Sequence, residues 1–280
     1  MMMTRLQARL IQVTPAIATA LLWGAALADQ PRDRALGFQE PASPIMDRLE
    51  GLHNHLLLTM CVVIVLFVLA LLLICIFRYN RKANPTPASF HHNTLLEVVW
   101  TGIPVLILIA IAIPSFKLLH DEEVTPEADL TIKAIGSQWY WDYEYPDKGG
   151  LTFTSKMLTN AEDDAQGKPH RLGVDQPIYV PVGKTVRVIV TAADVIHSWA
   201  IPAFGVKMDA VPGRLNDTWF LAEREGVFYG QCSELCGAKH AFMPIEVHVV
   251  SQAEFDDWIN KMEQEFGSNE APSSALAENR

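Results

Sequence analysis

GQCSELCGAKHAFMP, residues 230–244, gathers two cysteines, a histidine and a methionine into one short loop: Cys232, Cys236, His240 and Met243. Thiolate, imidazole and thioether form a soft ligand set that favours copper, because zinc sites rarely recruit methionine and hard cations want oxygen. Gly230 and Gly237 allow tight turns, and Pro244 forbids carrying a helix through the ligands, so a helical core stripe explains the pattern poorly. The loop leaves one apolar segment after Gln231 and enters another at Pro244, as a connection between two strands would. A disulfide between Cys232 and Cys236 is the structural alternative in an oxidising compartment. It would leave His240 and Met243 without a purpose.

Working outward, the chain beyond Pro126 is a series of short β segments bounded by turn residues. Residues 129–136 place Leu130, Ile132, Ala134 and Gly136 on one face, and an aromatic stretch follows over 138–145. Further strands are expected at 177–181, 185–192, 196–202, 217–222, 227–231 and 245–250, which together predict a sandwich or barrel. Residues 252–266 form a closing amphipathic helix with Phe255, Trp258, Ile259 and Met262 on one stripe, and 267–280 are expected to be a flexible tail.

Upstream, residues 56–77 carry no charge, and at about 1.5 Å per residue they cover the roughly 30 Å of a bilayer core. A second run, 95–116, is interrupted only by Glu97, Pro104 and Pro114. Asn93 or Thr94 would cap it. Arg78, Arg81 and Lys82 between the runs place the connecting loop in the cytoplasm, so both outer ends face the other side. His91 and His92 have no third ligand nearby and read as interfacial. Arg5 and Arg9, an apolar 10–27 and the small-residue site Ala26-Leu27-Ala28 predict a signal peptide over 1–28; a third membrane helix is the alternative, weakened by Pro15. The expected division is then an N-terminal periplasmic arm over 29–55, a transmembrane helical hairpin over 56–117 and a periplasmic domain over 118–266.

From His120 onward 26 acidic side chains face 13 basic ones, a net charge of −13. Such a field steers a basic partner and disfavours nucleic acid, although it also serves solubility. Cys61 and Cys75, inside the first apolar run, read as small apolar side chains.

One more nitrogen ligand would complete the metal site, and His197 in DVIHSWAIP (194–202) is the best source. Alone, it would read as a hydrogen-bonded core histidine. Two thiolates, two imidazoles and a thioether exceed what one blue copper takes, which is one Cys, two His and a weak axial Met. A second copper accounts for the surplus. If both sulfurs bridge two ions, each ion keeps one histidine and one weak ligand, Met243 on one side and a backbone carbonyl such as that of Glu234 on the other. No open position would remain, so the site would carry electrons and bind no substrate.

QWYWDYEYP (138–146), DVIHSWAIP (194–202), DAVPGRLN (209–216) and GQCSELCGAKHAFMPI (230–245), with the two-helix hairpin, resemble subunit II of bacterial cytochrome c oxidases, the heme-copper oxidases with a copper A centre. The resemblance covers nearly the whole chain. It implies an α+β membrane protein in which a transmembrane hairpin is followed by a cupredoxin-like Greek-key β-barrel, located at the bacterial inner membrane with the copper domain in the periplasm. It implies a dinuclear copper held by His197, Cys232, the Glu234 carbonyl, Cys236, His240 and Met243. Electrons would come from reduced cytochrome c and pass to heme in subunit I, where oxygen is reduced to water with proton pumping; subunit III and membrane lipid would be further partners.

Residue by residue, Trp139 matches the family's exposed tryptophan where the electron arrives, although alternation alone leaves open which aromatic of 138–145 faces outward. Glu144, Asp175 and Asp194 match acidic positions of the docking face, while Thr154 stands where some relatives carry another acid. The Glu234 carboxylate matches a ligand to magnesium or manganese shared with subunit I, and Glu97 a glutamate at the cytoplasmic mouth of a proton path. The alternatives are a membrane-anchored copper carrier with no oxidase, and a quinol-oxidising relative, a group that lacks the copper ligands present here. A nitrous oxide reductase would need a large further domain with a cluster-binding histidine array.

Overall fold

A computed structural model describes residues 28–266. The expected signal peptide, Ala28 apart, and the expected tail over 267–280 lie outside the described residues.

Two helices are long and apolar enough to cross a bilayer: α1, Pro44–Arg78, and α2, Thr94–Glu123. The first starts well before its charge-free run, because Ser43 accepts a hydrogen bond from the Met46 N–H and Pro44 occupies the first turn, both strong start signals. One turn of it, Leu52–Leu57, is π-helical. The second is capped by Asn93, whose side chain accepts from the Leu96 N–H at 3.1 Å, and it runs past Pro104 and Pro114 without a break. Neither apolar span buries a side chain in this chain alone.

The β domain comprises β1 (Ala28–Asp29), β2 (Leu130–Ser137), β3 (Tyr140–Tyr145), β4 (Leu151–Ser155), β5 (Ile178–Pro181), β6 (Thr185–Ala192), β7 (His197–Ile201), β8 (Val206–Ala210), β9 (Asn216–Leu221), β10 (Gly226–Gln231) and β11 (Pro244–Val250), with helices α3 (Asn160–Gln166) and α4 (Gln252–Phe266). One sheet runs β4-β3-β2-β6-β9 and the other β1-β10-β11-β5, while β7 and β8 form a hairpin. β2 pairs parallel to β6, and β5 parallel to β11. Strands adjacent in a sheet but distant in sequence make this a cupredoxin-like sandwich and no simple meander. Its core lies between the sheets, where β2 and β6 alternate inward and outward and Trp141, Trp199, Phe204, Phe220 and Phe228 are fully buried. Each such side chain contributes about 1.5–3 kcal/mol by leaving water. Helix α4 closes one end: Phe255, Ile259 and Met262 are buried, and Trp258 stacks on Tyr179 at 4.8 Å.

The strands expected at 185–192 and the helix at 252–266 have those bounds, and the others shift by a residue or two. Four elements add to the expected set: β1, β4, α3 and β8. The domain also grips the helices, since the Trp219 indole N–H donates to the carbonyl of Asp121 on α2 at 3.2 Å, while the Asp121 side chain pairs with Arg48 of α1 at 2.7 Å and ties the two helices together.

Candidate metal centre

The metal loop connects β10 to β11, two antiparallel neighbours whose last register pair is Gln231 with Pro244. Gly230 lies so close to the Ala200 carbonyl that a Cβ would overlap its oxygen; only glycine lets β10 press against β7. That approach brings the loop to His197, the first residue of β7. The Ser233 N–H donates to the Ser198 carbonyl at 3.0 Å, and the Cys232 N–H to the Met243 carbonyl at 3.2 Å, closing the loop on itself.

The donor atoms converge. The sulfurs of Cys232 and Cys236 are 3.8 Å apart. Cys232 Sγ lies 3.9 Å from His197 Nδ1 and 3.4 Å from the Glu234 carbonyl oxygen. On the other side, Cys236 Sγ lies 3.6 Å from His240 Nδ1 and 3.5 Å from Met243 Sδ. His197, Cys232, Cys236 and Met243 are buried, and His240 is half-buried. Both cysteines are free thiols. Each sulfur therefore has one imidazole nitrogen and one weak donor beside it, the division that two metal ions bridged by two sulfurs require, and the soft character of the set fits copper.

Burial opposes ionising either thiol, but the two respond differently. Hydrogen bonding to His197 and to backbone groups at Glu234 and Ser198 outweighs burial at Cys232 and brings its pKa below the ordinary thiol range. Burial and the charge on Cys232 both push Cys236 up. One thiolate forms easily in the metal-free site and the second only with compensation, which a cation supplies.

The shell behind the ligands is built by the turn between β2 and β3 and by Asp194. Asp194 accepts from His197 Nε2 at 2.9 Å, the Gln138 N–H at 2.7 Å and the Val195 N–H at 2.6 Å. Burial raises the Asp194 carboxyl, but these hydrogen bonds outweigh it and hold the group below the usual carboxylate range. A carboxylate on the outer nitrogen of a ligating histidine fixes the ring's tautomer and orientation, here turning Nδ1 toward Cys232. Gln138 and Trp139 each donate to the Cys236 carbonyl, at 2.8 and 3.3 Å. Gly136 makes room for His197, whose ring carbons lie 2.9 Å from where a Cβ would stand.

Of the residues singled out in the sequence, the six copper-ligand candidates are brought together by the fold. Trp139 is half-buried against the loop, and Trp141, Tyr143 and Tyr145 point inward, which leaves Trp139 and Tyr140 as the outer aromatics of the stretch. Glu144 pairs with Lys133 at 2.9 Å. Asp175 is exposed and accepts from the N–H groups of Lys156 and Gln176. The Glu234 side chain is exposed. Glu97 is remote from the site, in the first turn of α2, with its carboxylate 3.4 Å from the Asn93 N–H. Sequence reasoning missed Gln138, Gly136 and the inward role of Asp194; only the i,i+3 spacing of Asp194 and His197 hinted at the last.

Known proteins share both parts of this architecture. A family model described as cytochrome c oxidase subunit II, periplasmic domain, matches residues 130–250, and one described as the transmembrane domain of the same subunit matches residues 31–118. Probable cytochrome c oxidase subunit 2 of Rickettsia bellii is 48% identical over 252 residues, covering 90% of this chain and 92% of the relative. Cytochrome c oxidase subunit 2 of Cereibacter sphaeroides is 44% identical over 267 residues, with 88% and 86% coverage. A crystal structure of the periplasmic domain of subunit II of cytochrome oxidase of Bradyrhizobium japonicum shares 57% identity, covers 51% of this chain and 99% of that one, and gives a TM-score of 0.48.

Proposed function

The chain belongs to the cytochrome c oxidase subunit II family, and from that premise we propose that it takes electrons singly from reduced cytochrome c and relays them to a heme of subunit I. Oxygen is reduced to water in that partner, with proton pumping. The observation that carries the reading is the convergence of three side-chain donors, His197, His240 and Met243, and the Glu234 carbonyl on two cysteine sulfurs 3.8 Å apart. When bound, a copper pair would supply one-electron redox chemistry with charge spread over two metals and two sulfurs. The protein's part is to hold the donors rigid: the Cys232, His197 and Met243 side chains are buried, Asp194 orients His197, and the closed loop excludes a substrate position. Little rearrangement then accompanies each electron.

Trp139 is the point of arrival, since its N–H on the Cys236 carbonyl ties the half-buried ring to a ligand residue. Glu144, Asp175 and Asp194 belong to the donor-facing side. The exposed Glu234 carboxylate is free to join a magnesium or manganese ion at the border with subunit I, as a hard oxygen donor should. Glu97 serves as the cytoplasmic mouth of a proton path. These roles place the protein in the bacterial inner membrane with subunits I and III, its signal peptide removed and its copper domain in the periplasm. Changing Cys232 or Cys236 to serine in the assembled oxidase should abolish both bound copper and turnover. Normal turnover with intact copper absorbance in either variant refutes the assignment.

A further inference from the structure

Three cations stand on aromatic rings around the mouth of the metal loop. Lys239 Nζ lies 5.9 Å from the Trp139 ring centroid, Lys156 Nζ 5.8 Å from that of Tyr140, and the Arg171 guanidinium 5.6 Å from that of Phe242. Among the described residues none of the three forms an ion pair. Each ring adjoins the site: Trp139 donates to the Cys236 carbonyl, Tyr140 follows it, and Phe242 lies between the ligands His240 and Met243. Three acids of the same side have partners other than these cations, while Asp175 and Glu234 are exposed. Glu144 is paired with Lys133, Asp194 is committed to His197 and the Gln138 turn, and Asp142 accepts from the Thr154 hydroxyl. The domain is strongly acidic as a whole, yet at the rim of its metal loop these three cations stand over aromatic rings and not against carboxylates.

We infer that Lys239 is a specificity-determining residue of the donor face, whose ammonium above Trp139 pairs with a carboxylate on the donor and disfavours donors that present a lysine there. The inference rests on the reading that Trp139 receives the electron. A cation held over a ring keeps its outer side exposed, and Lys239 is exposed. A carboxylate brought opposite gains charge attraction, and a lysine meets repulsion, which is how interfaces reject wrong partners. The acidic field of the domain steers a donor at long range; the rim sorts donors on contact.

The test uses the purified oxidase complex with Lys239→Met and Lys239→Glu, assayed with two donors. One is a basic cytochrome c whose heme edge is ringed by lysines, and the other a c-type cytochrome with carboxylates at that edge. At low ionic strength KM for the basic donor should fall about threefold in Lys239→Met and further in Lys239→Glu, while KM for the acidic donor rises by a similar factor. Both shifts should shrink with added salt, and the change should fall on KM and not on kcat. Unchanged KM for both donors, or movement in the same direction for both, overturns the inference. So does loss of copper in both variants, which would make Lys239 a structural residue. Trp139→Phe tests the parent reading separately: wild-type electron delivery from both donors in that variant removes Trp139 as the point of arrival, whatever Lys239 does.

Discussion

Asp194 shows how one residue ties the site together, since its two oxygens join His197 to the turn that carries Gln138 and Trp139. Outer-shell partners of this kind are worth about 10–100-fold in metal affinity. Asp194→Ala should therefore lower copper affinity by about tenfold or more in competition with a chelator, whereas Asp175→Ala, on an exposed turn, should leave it unchanged; equal affinity in both variants would deny Asp194 that role. The thiols give a second prediction, in pH. Cys232 is lowered and Cys236 raised, so thiolate absorbance of the copper-free protein should grow in two separated steps, one below and one above the ordinary thiol value of about 8.5. A single step at that value would show that His197 does not stabilise the Cys232 anion. The ligands were legible in the sequence because soft side chains at close spacing have few other uses. The function of Asp194 was not, because its second partner, Gln138, lies in a turn on the far side of 56 residues of chain.

Elements position these residues through close backbone approach. β2 passes behind β7 at Gly136, and β10 meets β7 at Gly230. Adding one methyl group at Gly136 forces the His197 ring to move, because overpacking a filled core costs about 1–3 kcal/mol. Gly136→Ala should thus shift the copper absorbance and lower the unfolding temperature together; a change in stability with an unaltered spectrum would mean that His197 is not held from this side. The regular elements were legible where periodicity is clean, as in β6 with its inward valines and in α4 with its apolar stripe. Those missed lack that pattern. β8 has no regular alternation in burial, β4 has only five residues, and α3 is a seven-residue helix too short to show an apolar period. Its start was nonetheless written in the sequence: Thr159 and Glu162 form a reciprocal capping box, a signal that needs no periodicity. The early start of α1 at Ser43 and Pro44 is the same lesson, since charge-free length marks the part of a helix that lipid can cover and capping residues mark where the helix begins.

At the scale of the whole molecule, a strongly acidic β domain stands on two helices of bilayer length, joined to them through Asp121, which meets both Arg48 and Trp219. Both halves were legible from composition, one by its uncharged runs and the other by its short strands; their junction was not, since it depends on side chains far apart in sequence. The field of the acidic domain predicts that the bimolecular rate with a basic cytochrome c falls as ionic strength rises. A rate insensitive to salt would remove long-range steering from the account. The central claim is that two free sulfurs are shared by a pair of copper ions, and metal analysis of the purified, active protein tests it most directly. Two coppers per chain, with both Cys232 and Cys236 reduced, is the predicted result; zinc alone, or a cystine with no metal bound, would contradict it.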